Sequence, residues 1–341
     1  MPTSKDIQKT VASLVKDIVP RNRDIISRRF GLKNGKKETL ESIGRGYGIT
    51  RERVRQIEEF TLKQLSKLSV GNADVAGYVS WARNLVDPKG GVVKEKDLFK
   101  SFSGQEADSS ANASLLFVLS VGDGLVRSPE NDEFYAFWSA DEQKLNSFKN
   151  ATAALIKSLE KNGSVVLSDE LNSFAKKNSI DNAETCLSVS KSVNQNIFGQ
   201  VGLISWPEVK PRGVRDKAYL VLKRTNSPKH FGEISRLINE AGFSNKKANV
   251  QTVHNELIKD SRFILVGRGM YALSEWGYSA GTVRDVLIDI LKRTQKPIPK
   301  ASLIAKVKDM RMVKENTILL NLQDSKTFSR KEDGTYTLRK A

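Results

Sequence analysis

Between residues 50 and 57 the chain reads TRERVRQI, which spaces Arg51, Glu52, Arg55 and Gln56 at i, i+1, i+4 and i+5. On a helix that spacing gathers the four side chains on one side. The chemistry open to them is hydrogen bonding to flat, edge-on partners. A guanidinium offers a donor fork to guanine O6 and N7, a carboxamide pairs with adenine N6 and N7, and a carboxylate accepts from cytosine N4. Three side-chain types on one face can read a mixed sequence, whereas a face of lysines alone reads only phosphates. The same spacing also suits a solvated helix that pairs its own charges at i,i+4.

Such a face needs elements to hold it. Thr50 stands at the N-cap position of this helix, and Val54, Ile57 and Leu62 form the expected apolar stripe opposite. Thr39 stands at the N-cap of the preceding helix, TLESIGRGYGI, whose free N–H groups could hold a phosphate. Gly48 lies in the three-residue turn YGI between the two helices, which is helix-turn-helix spacing. Two more helices come first: one carries Ile7, Val11, Leu14, Val15 and Ile18 and ends at Pro20, and the other is RNRDIISRRFGL, with Gly31 and Gly35 after it.

With these pieces in place, residues 25–68 resemble region 4, the C-terminal promoter-reading region of primary-type bacterial sigma factors. RFGL, TLESIG and GITRERVRQIE carry the likeness. It implies that Arg51, Glu52, Arg55 and Gln56 face the bases of the −35 element of double-stranded promoter DNA. It also implies that the apolar side of the domain docks on the β flap of core RNA polymerase. Only about twenty residues precede the matching stretch. The sigma region that melts DNA, with its aromatic-rich helix, has no counterpart, so the chain is not expected to open a promoter alone. The aromatics Phe134, Tyr135, Phe137 and Trp138, and Tyr271, Trp276 and Tyr278, cluster at hairpin ends, where core packing accounts for them.

Beyond residue 70 the chain repeats. VRD…LKRT begins at Val214 and again at Val283, 69 residues later. Four segments end in two short alternating runs around a turn, the signal of a β-hairpin. Aligned on Tyr135, Leu203, Tyr271 and Tyr336, they are 68, 68 and 65 residues apart, and a period of that size means tandem units. Each unit reads as three helices followed by a two-stranded wing. The expected fold is therefore mainly α with small β-hairpin wings: a helix-turn-helix domain over 1–70, then winged-helix-like units over 71–140, 141–210, 211–280 and 281–341. Residues 212–278, through HFGEISRLINEAG and DSRFILVGRGMYALSEW, are similar to the HARE-type winged helix of the δ subunit of Gram-positive RNA polymerase. That likeness suggests polymerase or DNA association. Arg262 and Arg268 flank or enter this wing, where they could touch phosphate or remain solvated.

Composition narrows the function. The 341 residues carry a net charge of +17, divided as +8 over 1–70, −4 over 71–210, +6 over 211–280 and +7 over 281–341. A polyanion is a plausible partner at the two ends and a poor one in the middle. One cysteine, Cys186, and two histidines cannot build a zinc shell, and the cysteine usage suits a reducing cytosol. No run approaches a membrane span, and the N-terminus lacks the apolar core of a signal peptide. There is no Walker loop for a nucleotide. Glu208-x-Lys210 is half of a nuclease motif at most, and His230 and His254 have no catalytic companions. The expected protein is not an enzyme and needs no cofactor, metal or small-molecule substrate. It is expected to be cytoplasmic and nucleoid-associated, binding promoter DNA and RNA polymerase. The other reading is a δ-like accessory or architectural protein that does not read bases.

Overall fold

One order of elements occurs four times after residue 70: helix, strand, helix, helix, strand, strand. The computed structural model describes residues 6–278 and 281–339, so the expected boundary at residue 280 lies outside the described residues. The N-terminal segment is all-helical, with α1 (Ile7–Val15), α2 (Pro20–Phe30), α3 (Leu40–Tyr47) and α4 (Arg51–Ser69). The first repeat runs α5 (Ala73–Val86), β1 (Val92–Lys94), α6 (Glu95–Ser103), α7 (Ser110–Val121), β2 (Val126–Ser128) and β3 (Phe137–Ser139). The second runs α8 (Glu142–Asn162), β4 (Val166–Leu167), α9 (Leu171–Lys177), α10 (Ala183–Val189), β5 (Val193–Gln195) and β6 (Gln200–Leu203). The third runs α11 (Val214–Thr225), β7 (Lys229–His230), α12 (Phe231–Ala241), α13 (Val250–Lys259), β8 (Phe263–Gly267) and β9 (Met270–Leu273). The fourth runs α14 (Val283–Thr294), β10 (Ile298–Pro299), α15 (Lys300–Met310), α16 (Glu315–Leu322), β11 (Phe328–Arg330) and β12 (Thr335–Leu338).

Every repeat closes an antiparallel sheet of three strands in the order first, third, second. The sequence suggested two-stranded wings. The additional strand is the short run before each second helix, and at two or three residues it is too short to show an alternating period. Pairing also corrects the repeat alignment. Val93, Val166, Lys229 and Ile298 pair with Trp138, Val201, Tyr271 and Tyr336, so Tyr135 and Leu203 are not the equivalent positions. The spacing is then 63, 70 and 65 residues rather than nearly constant. The cause lies in the last connection of each repeat, which covers 129–136 in the first and only 268–269 in the third. The first of these has no glycine turn. Asn131 makes the turn instead, its side-chain oxygen accepting from the N–H groups of Glu133 and Phe134 at 2.9 and 2.7 Å.

The chain divides into two compact units between Ser205 and Trp206. In the first unit a single core runs through both sides of residue 70. Ile7, Leu14, Ile26, Phe30 and Leu65 pack with Tyr78, Leu98, Phe117, Val118 and Trp138. Helix α7 lies at its centre, and Phe30 meets Phe117 edge-on at 5.3 Å between ring centroids. The α2–α3 loop seats there too, because a Cβ on Gly35 would lie 2.8 Å from the Ser109 backbone. The second repeat is joined to the first by main chain: Tyr135 N–H donates to the Val189 carbonyl at 3.0 Å and Lys191 N–H to that of Glu133 at 2.8 Å. Phe134, Phe137 and Phe148 pack together across this joint.

In the second unit the VRD…LKRT stretches form α11 and α14, each of 12 residues. Both helices end on a non-glycine residue in the left-handed region, Asn226 (φ 45°) and Gln295 (φ 51°). The matching aspartates do different work. Asp285 closes a capping box with Thr282, whereas Asp216 accepts from Arg262 at 2.9 Å. Arg262 also donates to Asp260 at 2.7 Å, a hydrogen bond that holds the Asp260 carboxyl below its ordinary range, and its guanidinium lies over the Tyr219 ring. Arg262 is therefore a structural tie between α11 and the start of β8. Its carboxylate partners and the ring beneath it occupy the guanidinium. His230 caps α12 through Nδ1, and His230 and His254 lie at 4.2 and 4.3 Å from Phe231, one on each side in sequence and both in ring contact with it.

Phe117→Ala is expected to cost about 3–5 kcal/mol, as for other buried aromatic truncations. Because the core is shared, hydrogen exchange should accelerate in α1 and α4 together with α7, and not in α7 alone.

Candidate nucleic-acid interface

Local backbone chemistry sets the geometry. Thr39 is extended (φ −74°, ψ 154°), and its hydroxyl accepts from Ser42 N–H at 3.1 Å to start α3. Gly48 ends α3 in the left-handed conformation (φ 64°). Two residues later Thr50 is extended again (φ −72°, ψ 153°) and accepts from Arg53 N–H at 3.2 Å to start α4. The two helices then close on a small core of Ile25, Ile43 and Val54, flanked by Leu40, Tyr47, Ile49 and Ile57. Leu62 departs from the expected stripe. It turns away from Val54 and Ile57 and packs into the larger core around α7, whereas Thr61 and Leu65 continue the buried side of α4.

Gly44 was not singled out from the sequence. A Cβ there would lie 2.6 Å from the Ile49 carbonyl oxygen, so α3 and the turn meet backbone to backbone. Its signal was a glycine inside a helical pattern, four residues ahead of the turn glycine. Nothing in the sequence marked the polar frame behind the helices. Arg28 holds Glu38 through two bonds of 2.9 and 2.7 Å, Arg29 reaches Glu58 at 2.9 Å and the Glu38 carbonyl at 2.7 Å, and Tyr47 donates to Asp24 at 2.8 Å. The Arg28 fork keeps the Glu38 carboxyl below its ordinary range. These ties join α2 and the α2–α3 loop to α3 and α4.

All four candidate reading residues project outward from the first two turns of α4. Arg51, Glu52, Arg55 and Gln56 are exposed. They are not idle. The Arg55 guanidinium bonds Glu52 at 2.7 Å and Glu59 at 2.5 Å, and Arg53 donates to the Gln56 side-chain oxygen at 3.1 Å. Arg55 depresses the Glu52 carboxyl, so Glu52 is an acceptor throughout the neutral range. Exposed pairs of this kind contribute little to stability and can be exchanged for base edges. Thr50 sits beneath this face as the cap, while Thr39 marks the separate N-terminus of α3.

A short helix, a glycine turn and a longer helix with mixed polar first turns define a helix-turn-helix domain. Residues 16–67 match the family model for Sigma-70, region 4. The chain is similar to RNA polymerase sigma factor SigA of Nostoc sp., at 44% identity over 61 residues, which covers 18% of this chain and 15% of that protein. It is similar to RNA polymerase principal sigma factor HrdD of Streptomyces coelicolor, at 43% over 56 residues, covering 16% and 17%. RNA polymerase sigma factor RpoS of Coxiella burnetii matches at 42% over 60 residues, covering 18% and 17%. The N-terminal segment is thus a Sigma-70 region 4 domain, and the chain spans less than a fifth of the length of these relatives.

The packing at Gly44 is testable against its neighbour. Glycine to alanine inside a helix ordinarily gains up to about 1 kcal/mol. Gly44→Ala should instead lower the melting temperature, because a carbonyl oxygen must move. Gly46→Ala meets only the Arg28 guanidinium, at 3.2 Å, and should have a distinctly smaller effect. Thermal denaturation of the two variants checks the contrast.

Proposed function

We propose that this chain is a promoter-DNA-binding, RNA polymerase-associated transcription factor that reads a −35-type element and does not melt DNA. The observation that carries the reading is the exposed face of Arg51, Glu52, Arg55 and Gln56, presented by a capped helix after a glycine turn within the segment matching Sigma-70, region 4. In this reading the four side chains contact base edges, and the helix starts at Thr39 and Thr50 approach phosphates. The protein acts without catalysis, in the cytoplasm on nucleoid DNA. Among the described residues no helix is long and apolar enough to cross a membrane.

Two further observations support a partner role. The aromatic cluster of the first repeat is taken up by packing and is not presented for stacking on bases: Phe134, Phe137 and Trp138 are buried, and Lys94 lies 3.8 Å from the Tyr135 ring centre. The inward apolar side of α1, α2 and α4 is covered by α7. Contact with core polymerase, including its β flap, would therefore fall to apolar groups still outside, such as Phe60 (65% exposed) and Leu68 (55%). We divide the labour by segment. Residues 1–70 read DNA, the mildly acidic stretch 71–210 faces protein, and the basic 211–280 and 281–341 add contacts to DNA or polymerase. The HARE-type likeness of the third repeat fits that last role. A δ-like accessory protein without base reading is the competing account.

Arg55→Ala and Gln56→Ala should each weaken binding to a matched −35 site by about ten- to a hundredfold, with a smaller loss on random duplex. Equal losses on both would favour the accessory account. In a purified assay, core polymerase with this protein should give no promoter-directed transcript from linear duplex. Adding a housekeeping sigma factor should reveal a change in that factor's output. A strong promoter-specific transcript from the chain and core polymerase alone would overturn the proposal.

A further inference from the structure

Each repeat contains a helix pair of the kind whose second member enters a DNA groove: α6–α7, α9–α10, α12–α13 and α15–α16. Three of these second helices are ill suited to that use. Helix α7 is buried from Asn112 to Leu119 and again at Val121. Helix α10 faces the first repeat, with Thr185 Oγ1 donating to the Lys89 carbonyl at 3.0 Å and Ser188 approaching Asp97 at 3.5 Å. Helix α16 begins with Glu315, whose carboxylate lies at the helix start and is paired to Lys308 at 3.2 Å.

Helix α13 differs. It buries Val253 and Leu257, and it leaves Gln251, Thr252, Asn255 and Lys259 exposed, with Val250 and Ile258 outside as well. Residues 241–255 include Lys246 and Lys247 and no carboxylate, and residues 263–273, the two long wing strands and their turn, include Arg268 and no carboxylate. Lys246, Lys247, Lys259 and Arg268 are all exposed and form no ion pair among the described residues. Other exposed cations stand beside acids, as Arg55 does with Glu52 and Glu59. A polar helix start flanked by unpaired cations, with Glu256 one turn further along as the only carboxylate within α13, complements a phosphate backbone on either side of a groove.

We propose that α13 and the β8–β9 tip form a second duplex-DNA-binding surface. Gln251 and Asn255, joined at 3.0 Å, face the major groove, and Lys246, Lys247 and Arg268 hold phosphates. The surface does not depend on base reading by α4. It requires B-form DNA, because the major groove of duplex RNA is too narrow and deep to admit a helix.

The test is fluorescence anisotropy of the full chain on a random-sequence DNA duplex across a salt series. Combining Lys246→Ala, Lys247→Ala and Arg268→Ala should weaken binding about tenfold or more at moderate salt. It should also lower the slope of log affinity against log salt by about two to three, near one per lost phosphate contact. A control that removes three exposed lysines from the fourth repeat, Lys292→Ala, Lys300→Ala and Lys306→Ala, should lose clearly less. Equal losses would reduce the effect to bulk charge and overturn the assignment, as would an unchanged slope in the first variant. Equal or tighter binding to duplex RNA would overturn the groove contact. Arg55→Ala with Gln56→Ala should keep the slope on random duplex while losing preference for the matched site, so failure of the α4 reading is separable from failure of this one.

Discussion

Helix α7 sets the terms for the first unit. Ala113, Leu115, Leu116, Phe117, Val118, Leu119 and Val121 leave it without a polar side, and a helix that is apolar all round must be covered all round. Its own repeat can cover only part of it. The rest is closed by α1, α2 and the second half of α4 through Ile7, Ile26, Phe30 and Leu65. Burying roughly 1.5–3 kcal/mol per large apolar side chain, this contact fixes the back of α4. The polar side of its first two turns, opposite Val54, is thereby left pointing outward.

One topology recurs in four different packing contexts. The strand order is the same in all repeats, and what differs is which surfaces each repeat spends on its neighbours. The first gives up its third helix to the N-terminal domain. The second places its third helix against the first, and the loop 129–136 runs beside it. In the second unit the segment after α15 reaches the edge of β8, where Met312 N–H donates to the Val266 carbonyl at 3.2 Å and Arg311 binds the Leu265 carbonyl at 2.9 Å. That leaves the outer face of α13 uncovered. A tandem array can thus keep its fold while individual members lose the binding surface the fold usually offers.

The parts legible in the sequence were those decided within a few residues. Thr39 and Thr50 announce helix starts, because a hydroxyl there satisfies an N–H three residues on, and Gly48 announces a turn that needs positive φ. The outward set from Arg51 to Gln56 follows from helical spacing alone. What failed depended on distant partners. Arg262 has the look of a wing cation until Asp216, 46 positions earlier, is found against it. Strands of two residues have no period, and Tyr135 and Leu203 aligned only because loops of unequal length concealed the true register. Gly44 matters for a carbonyl that the turn brings back onto it.

The placement of the two histidines has a practical consequence. His230 and His254 are the chain's only histidines, and both imidazoles lie against the ring of Phe231. Protons held over an aromatic face are shielded by its ring current, so both imidazole signals should be displaced from those of a free histidine. In the proton magnetic resonance spectrum of the intact chain, the histidine region therefore observes the third repeat alone. Because α13 carries His254, whatever covers or tilts that helix is registered by a probe that nature has already placed, without labelling or truncation.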